Sequence, residues 1–413
     1  MILMSLDTEP ACPESQRDSR GSAGTPSAGT PSAGAPSGLI VERRSIDDID
    51  RSTWDRLAAL TPWATPFSAW AFHRAWWDAY ADNAHEETTV VLDPAAGPGA
   101  DPIAIIPLMH RHEVEPTDAA RHTTIRHGSD ADLTPVPPTA TAIFFGASYH
   151  ADYATILAAP SDLPAVADAL VADLRRRADA SQGGPADWDA VDLRRLRCGD
   201  PAADALAAAF RRVEMDAGWT LNLEREDVCP VAEMPVGGTI DDYLATLDKK
   251  ERHEIRRKVR RAEAAGDVAL TESTDPLADL EAFIQLHQAR WGEDGLFPAN
   301  AGGDQSRVHF RRLFELFGPD GPLRLSFLTV DSRRIAAGVH FETPERVFYY
   351  NAGVDPEARD LSPGVVMVER YARRAMERGQ HSMDFLRGGE PYKYEWGALD
   401  QPIQRLLVRR EVA

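Results

Sequence analysis

Apolar positions along this chain recur with two periods, near 3.6 and near 2, and the switches between them outline its elements. "SIDDIDRSTWDRLAAL" sets Ile46, Ile49, Trp54 and Leu57 on one helical stripe, and "SAWAFHRAWWDAYADN" predicts a second helix, dense in aromatics. "TTVVLD", "PIAIIPLMHRH" and "TAIFFG" read as strands. A helix follows over "SDLPAVADALVADLRRRADA", with Ser161 or Asp162 as N-cap, then the strand "DAVDLRRL". The helix "PAADALAAAFRRVEMDAG" stops at Gly218 and leads into the strand "WTLNLER".

The second half repeats this order. "TIDDYLATLDKKERHEIRRKVRRAEAAG" is predicted helical as far as Gly266, and the strand "DVALTES" comes next. Two helices, "PLADLEAFIQLHQARWG" and "SRVHFRRLFELFG", precede a meander of "PLRLSFLTVD", "RIAAGVHFET" and "RVFYYNAGV". The helix "SPGVVMVERYARRAMERG" carries Pro363 in its first turn and Gly379 at its end. "HSMDFLR" and "QRLLVRR" close the chain as strands. The predicted class is therefore α/β, with the halves joined near residue 235 at "CPVAEMPVGG". Residues 1–38 include "GSAGTPSAGTPSAGAPSG", which has too little apolar surface for a core and predicts a disordered tail.

Composition narrows the partners. A net charge of −20 over 413 residues argues against DNA binding by the surface as a whole. No stretch approaches the ~18 apolar residues of a membrane span, and the first residues lack the basic start of a signal peptide. The expected location is the cytoplasm. Three cysteines without a CxxC pair, and no cluster of ligand residues, predict no metal.

Three stretches carry candidate chemistry. Between Lys249 and Arg261 the cations Lys249, Lys250, Arg252, Arg256, Arg257, Lys258, Arg260 and Arg261 face only Glu251 and Glu254. Such a helix is either a solvated face or a surface for a phosphate-rich ligand. Arg256, Arg257 and Arg260 are the candidate phosphate forks. In "NAGVDPEARDLSPGVVM" a strand ends at Val354 and a helix starts near Ser362 and Pro363, which makes a ready anion site or an ordinary capped start. Arg359 adds a cation there. Finally, "MDFLRGGEPYKYEWGA" crowds donors, acceptors and rings after a strand, where a plain turn would use Gly, Asn, Asp or Pro. It is either a wall around a ligand or a lock between strands.

"VDPEARDLSPG" resembles the central segment of GNAT acyltransferases, in which an R/Q-x-x-G-x-G/A loop cradles the acyl-CoA pyrophosphate. Arg359 matches the first position and Gly364 the last, while Ser362 stands where the first Gly is expected and Pro363 offers no N–H. Taken in order with "LDKKERHEIRRKVRRAEAAGDV", "YYNAG" and "DFLRGGEPYKYEWGA", the segment resembles the CelD-type and FemAB-like branch, strongly over residues 240–410 and weakly over 39–235. The resemblance implies two GNAT-like domains in tandem, each a mixed central sheet flanked by helices. Residues 39–235 would be a degenerate domain, since they lack the loop pattern, and 236–413 the acyltransferase domain.

It also implies acetyl-CoA or another acyl-CoA as co-substrate and an amine or hydroxyl acceptor, such as a sugar or a cell-envelope polysaccharide precursor. Asn351, Val354, Arg359, Ser362 and Gly364 would hold the donor, with "YYNAG" and "MDFLRG" as the two walls of an acyl notch. Acyl transfer needs a base, an acid and donors for the oxyanion. Asp384 and Glu390 are the candidate bases, Tyr392 or Tyr394 the acid, Lys393 the charge stabiliser, and Trp396 a surface for stacking on the substrate. Two alternatives stay open: an aminoacyl-tRNA donor, or a pair of domains that binds a nucleotide-sugar without catalysis.

Overall fold

The structure is a computed structural model that describes residues 38–111, 133–137, 140–148, 150–180 and 187–410. The predicted tail lies outside the described residues, apart from Gly38.

The first half contributes strands β1 (Ile40–Arg43), β2 (His85–Glu86), β3 (Thr89–Leu92), β4 (Ala104–Ile106), β5 (Leu108–Arg111), β6 (Ala142–Phe145), β7 (Leu157–Ala158), β8 (Ala190–Arg197) and β9 (Trp219–Glu233). Its helices are α1 (Arg51–Leu60), α2 (Trp70–Tyr80), α3 (Leu163–Ala180) and α4 (Pro201–Ala217). The predicted strand "PIAIIPLMHRH" divides at Pro107 into β4 and β5, because proline has no N–H for the ladder. In the second half come α5 (Ile240–Thr246), α6 (Lys249–Ala265), β10 (Val268–Glu272), α7 (Pro276–Trp291), α8 (Ala301–Phe317), β11 (Leu323–Val330), β12 (Arg333–Glu342) and β13 (Arg346–Val354). They are followed by α9 (Pro363–Glu377), β14 (Ser382–Asp384), the single turn α10 (Pro391–Tyr394) and β15 (Leu399–Arg410).

The long helix expected from Thr239 to Gly266 is two helices. Leu247 leaves helical geometry to tuck into the core, where a Cβ on Gly397 would come within 2.9 Å of it. Asp248 then serves as the N-cap residue of α6. The helix α8 starts earlier than its apolar stripe, because the Asn300 side chain accepts from the N–H groups of Gly302 and Gly303.

One sheet crosses both halves in the order β10-β11-β12-β13-β14-β9-β15-β8-β6-β5-β2. The last strand of the chain, β15, lies between β9 and β8, so the junction near residue 235 does not divide the sheet. On one face of the second half, α7 and α8 pack with α1 and α2 in a shared aromatic core that includes Trp54, Phe67, Phe72, Phe283, Phe310 and Phe341. On the opposite face, α5, α6 and α9 cover Val347, Tyr349, Met383 and Phe385. A separate core under α3 and α4 serves the first half.

Each half holds one short parallel pair. β6 pairs with β8 through Phe144↔Asp192, and β13 pairs with β14 through Phe348↔Asp384, after three residue pairs in both cases. Beyond Phe348, β13 runs on to Val354 with no strand paired on that side among the described residues, while the chain after Asp384 stays with β9 through the Phe385 N–H on the Pro230 carbonyl at 2.9 Å. The result is a notch between the two strands where their pairing ends.

Candidate active site

The notch is the centre of the site. A register shift between Val339 and His340 leaves Tyr350 as an extra residue in β13, and such a bulge bends and twists the strand locally. Phe348 and Tyr350 then join the core shared with the first half, while Val347, Tyr349, Ala352 and Val354 face α9. Gly353 is required for close approach: a Cβ there would sit 2.3 Å from the backbone nitrogen of His287 in α7.

The start of α9, where a cradle is expected, offers few backbone donors. Ser362 adopts a left-handed conformation (φ 53°), its N–H goes to Arg359 O at 3.0 Å, and its own carbonyl accepts from Val365 and Val366. Pro363 has no N–H, and the Gly364 N–H has no backbone partner outside the helix among the described residues. A Cβ on Gly364 would meet nothing within 4 Å, so the turn opens outward there. Cations make up part of the deficit. Arg261 of α6 reaches Ser362 Oγ at 2.7 Å, and exposed Arg359 has no ion-pair partner among the described residues.

The rest of the basic helix divides between solvent and neighbours. Ile255, Val259 and Ala262 bury its apolar stripe. Arg256 pairs with Asp241 at 2.8 Å, Arg257 with Glu254 at 2.8 Å, and Arg260 donates to the Arg256 carbonyl at 3.3 Å. All three stay exposed, and Arg261 is the one that meets the start of α9.

Asp384 and Tyr392 lie on opposite faces of the sheet. Asp384 ends the parallel pairing, is fully buried, and points to the face shared with the first half. It accepts from Tyr153 Oη at 2.8 Å and Leu386 N at 2.9 Å, and Arg346 Nη1 stands 3.5 Å away. Burial raises its pKa to about 6, against the pull of Arg346. Tyr392 packs edge-on to Phe385 on the α9 face, beside Tyr349 and Arg290. Burial pushes the phenols of Tyr349, to about 12, and of Tyr392 upward, so both keep their protons at neutral pH. Asn351 and Val354 are half-buried on the free arm of β13.

Lys393 and Trp396 need correction. The Lys393 ammonium is buried and donates to the carbonyls of Leu386, Arg387 and Gly388 at 2.8–2.9 Å, with Glu390 at 2.9 Å. Its protons are spent on holding the loop, and Glu390 is tied to the same lock. Trp396 is buried, stacks on Tyr243, and accepts the Tyr243 hydroxyl on its carbonyl at 2.6 Å. It is core, with no face left for a sugar or base. Tyr394 is exposed and donates to Asp400 at 2.7 Å. Lys393→Met should therefore cost about 3–5 kcal/mol, because three carbonyls and a carboxylate lose one buried cation. Urea unfolding measures it, and a loss below about 1 kcal/mol would refute the lock.

Tyr153, Tyr349 and Arg290 complete the surroundings and were not singled out by sequence. Tyr349 was visible only as part of "YYNAG", and nothing local marks Tyr153, which is 231 residues from its partner.

Residues 249–394 match the family model of the acetyltransferase (GNAT) domain. The second half thus carries a GNAT-type acetyltransferase domain, and the repeated parallel pair gives the first half a GNAT-like fold in tandem with it. Among solved structures, FemX superposes with a TM-score of 0.53 at 12% identity, over 86% of this chain and 96% of that one. A conserved protein of unknown function from Bacteroides thetaiotaomicron gives 0.50 at 13% identity, over 90% and 100%. At such identities the likeness is one of fold. No curated protein matches the chain in sequence.

Proposed function

We propose that the chain is an acyl-CoA-dependent N- or O-acyltransferase whose donor lies along α6 and the start of α9, with its acyl group in the β13–β14 notch. The observation that carries this reading is the end of parallel pairing at Phe348↔Asp384 on the strand whose far end leads through a short turn to the open position at Gly364. The donor phosphates would take the Gly364 N–H, the helix dipole, Arg261 and Arg359. The acyl carbonyl would enter between Tyr349 and Tyr392, whose protonated phenols can donate to a developing oxyanion or to the leaving thiolate. The acyl group is acetyl in the simplest case, and the acceptor an amine or hydroxyl of a sugar or envelope precursor. Among the described residues no helix is long and apolar enough to cross a membrane.

Gly364→Glu should fold normally, since nothing crowds the position, and weaken acetyl-CoA binding at least about tenfold by putting a carboxylate where phosphate should sit. Arg359→Ala should weaken it less. Isothermal titration decides, and unchanged affinity in folded Gly364→Glu would remove the cradle. An aminoacyl-tRNA donor is the second reading, favoured by the loss of backbone donors at Ser362 and Pro363 beside an exposed basic helix. Binding of charged tRNA without binding of acetyl-CoA would select it.

A further inference from the structure

The first half has a notch of its own, and its own chain fills it. Pairing of β6 with β8 stops at Phe144↔Asp192, and the Ala154 N–H then docks on the Arg195 carbonyl of β8 at 3.0 Å. The residues just before Ala154 reach across to the second half. The His150 carbonyl accepts from Tyr350 Oη of β13 at 3.0 Å. Asp152 pairs with Arg387, just beyond β14, at 3.3 Å. The Tyr153 hydroxyl donates to Asp384 of β14 at 2.8 Å. Three residues of one four-residue segment thus hold both arms of the second notch. They are anchored in turn, with His150 Nε2 at 2.8 Å from Tyr80 Oη and Ala151 N–H on the Ala147 carbonyl at 2.9 Å.

We propose that the segment His150–Tyr153 is a brace that sets the opening of the acyl notch, with Tyr153 as a positioning residue that holds Asp384 at its apex. Its ligand consequence rests on the donor reading above, while the brace itself rests only on these contacts. Filling the first notch frees that half from donor binding and turns its loop into a support for the other. An arm held from β13 and from beyond β14 at once cannot widen without breaking a bond to a buried carboxylate or a carbonyl. The acyl groups admitted are then the short ones.

The test is hydrogen exchange on the full chain and on Tyr153→Phe, which keeps the ring, and Asp152→Asn, which weakens the ion pair. Exchange in residues 349–354 and 385–389 should accelerate about tenfold in Tyr153→Phe while the centre of β15 stays protected. Acetyl-CoA and a six-carbon acyl-CoA serve as probes, and the variant should lose most of the preference for the shorter one. Unchanged exchange in both variants, or acceleration spread evenly through the core, would overturn the brace. If the wild-type chain binds neither probe, the donor reading fails, and exchange alone still decides the brace.

Discussion

Removing residues 399–413 should leave a chain that does not fold in either half. β15 pairs with β9 from Leu399 to Arg410 and with β8 from Ile403 to Arg409, so its loss unpairs two long strands at once. Ile403, Leu406, Leu407 and Val408 are buried, at roughly 1.5–3 kcal/mol each. Arg405 lies beneath the sheet, forked onto Asp192 at 2.7 Å by two nitrogens and onto Glu224 at 3.0 Å. Without it, a fully buried carboxylate keeps Arg194 as its one charged partner among the described residues. These losses exceed the ~5–15 kcal/mol of net stability typical of a domain. Circular dichroism and limited proteolysis on residues 1–398 would show it. A cooperative melt near that of the whole chain would contradict the shared sheet. For the same reason, residues 236–413 expressed alone should be insoluble.

Acid should destabilise the chain well above the range where carboxylates protonate. His73 and His309 are buried, and burial lowers both to a pKa of about 3; His150, stacked 4.2 Å from His309, is also pushed well down. A group whose folded pKa lies below its unfolded value of ~6.5 stabilises above that value and loses the contribution as pH falls toward 3. At pH 4.5, His73 and His309 should each cost about 2–3 kcal/mol. Asp384 runs the other way. Its folded pKa of about 6 exceeds the unfolded ~3.9, so it favours folding as pH falls from 6 to 4, by about 2 kcal/mol. Burial lowers His340 as well, and it raises Asp200 and Asp227 as it does Asp384; the four histidines outweigh the three aspartates, and stability should drop between pH 7 and 4.5. Denaturant midpoints across that range measure the slope, and His309→Phe should flatten it. Constant stability from pH 7 to 4.5 would contradict the neutral buried cluster.

What the sequence showed and what it hid follow from range. The α9 start was legible because a strand end, a proline and a capping residue lie within a few positions. The meander β11–β13 was legible because its turns are short. Placement of β15 beside β8 and β9 was hidden, since a buried strand reads the same wherever it pairs. The break at Leu247 had a local mark in Asp248, overridden by the charged runs on both sides. Trp396 and Lys393 looked like ligand groups because composition does not say which way a loop faces; the structure turns both inward. Asp384 and Tyr392, eight positions apart, fall on opposite faces because a left-handed Leu386 (φ 59°) and the Gly388 turn intervene.

The central claim is that the second half, and not the first, holds an acyl-CoA at the β13–β14 notch. Hydrogen exchange of the wild-type chain with and without saturating acetyl-CoA tests it most directly. The account predicts protection across residues 349–366 and 385–394, with no change at 142–158. Protection confined to the first half, or none anywhere, would contradict it.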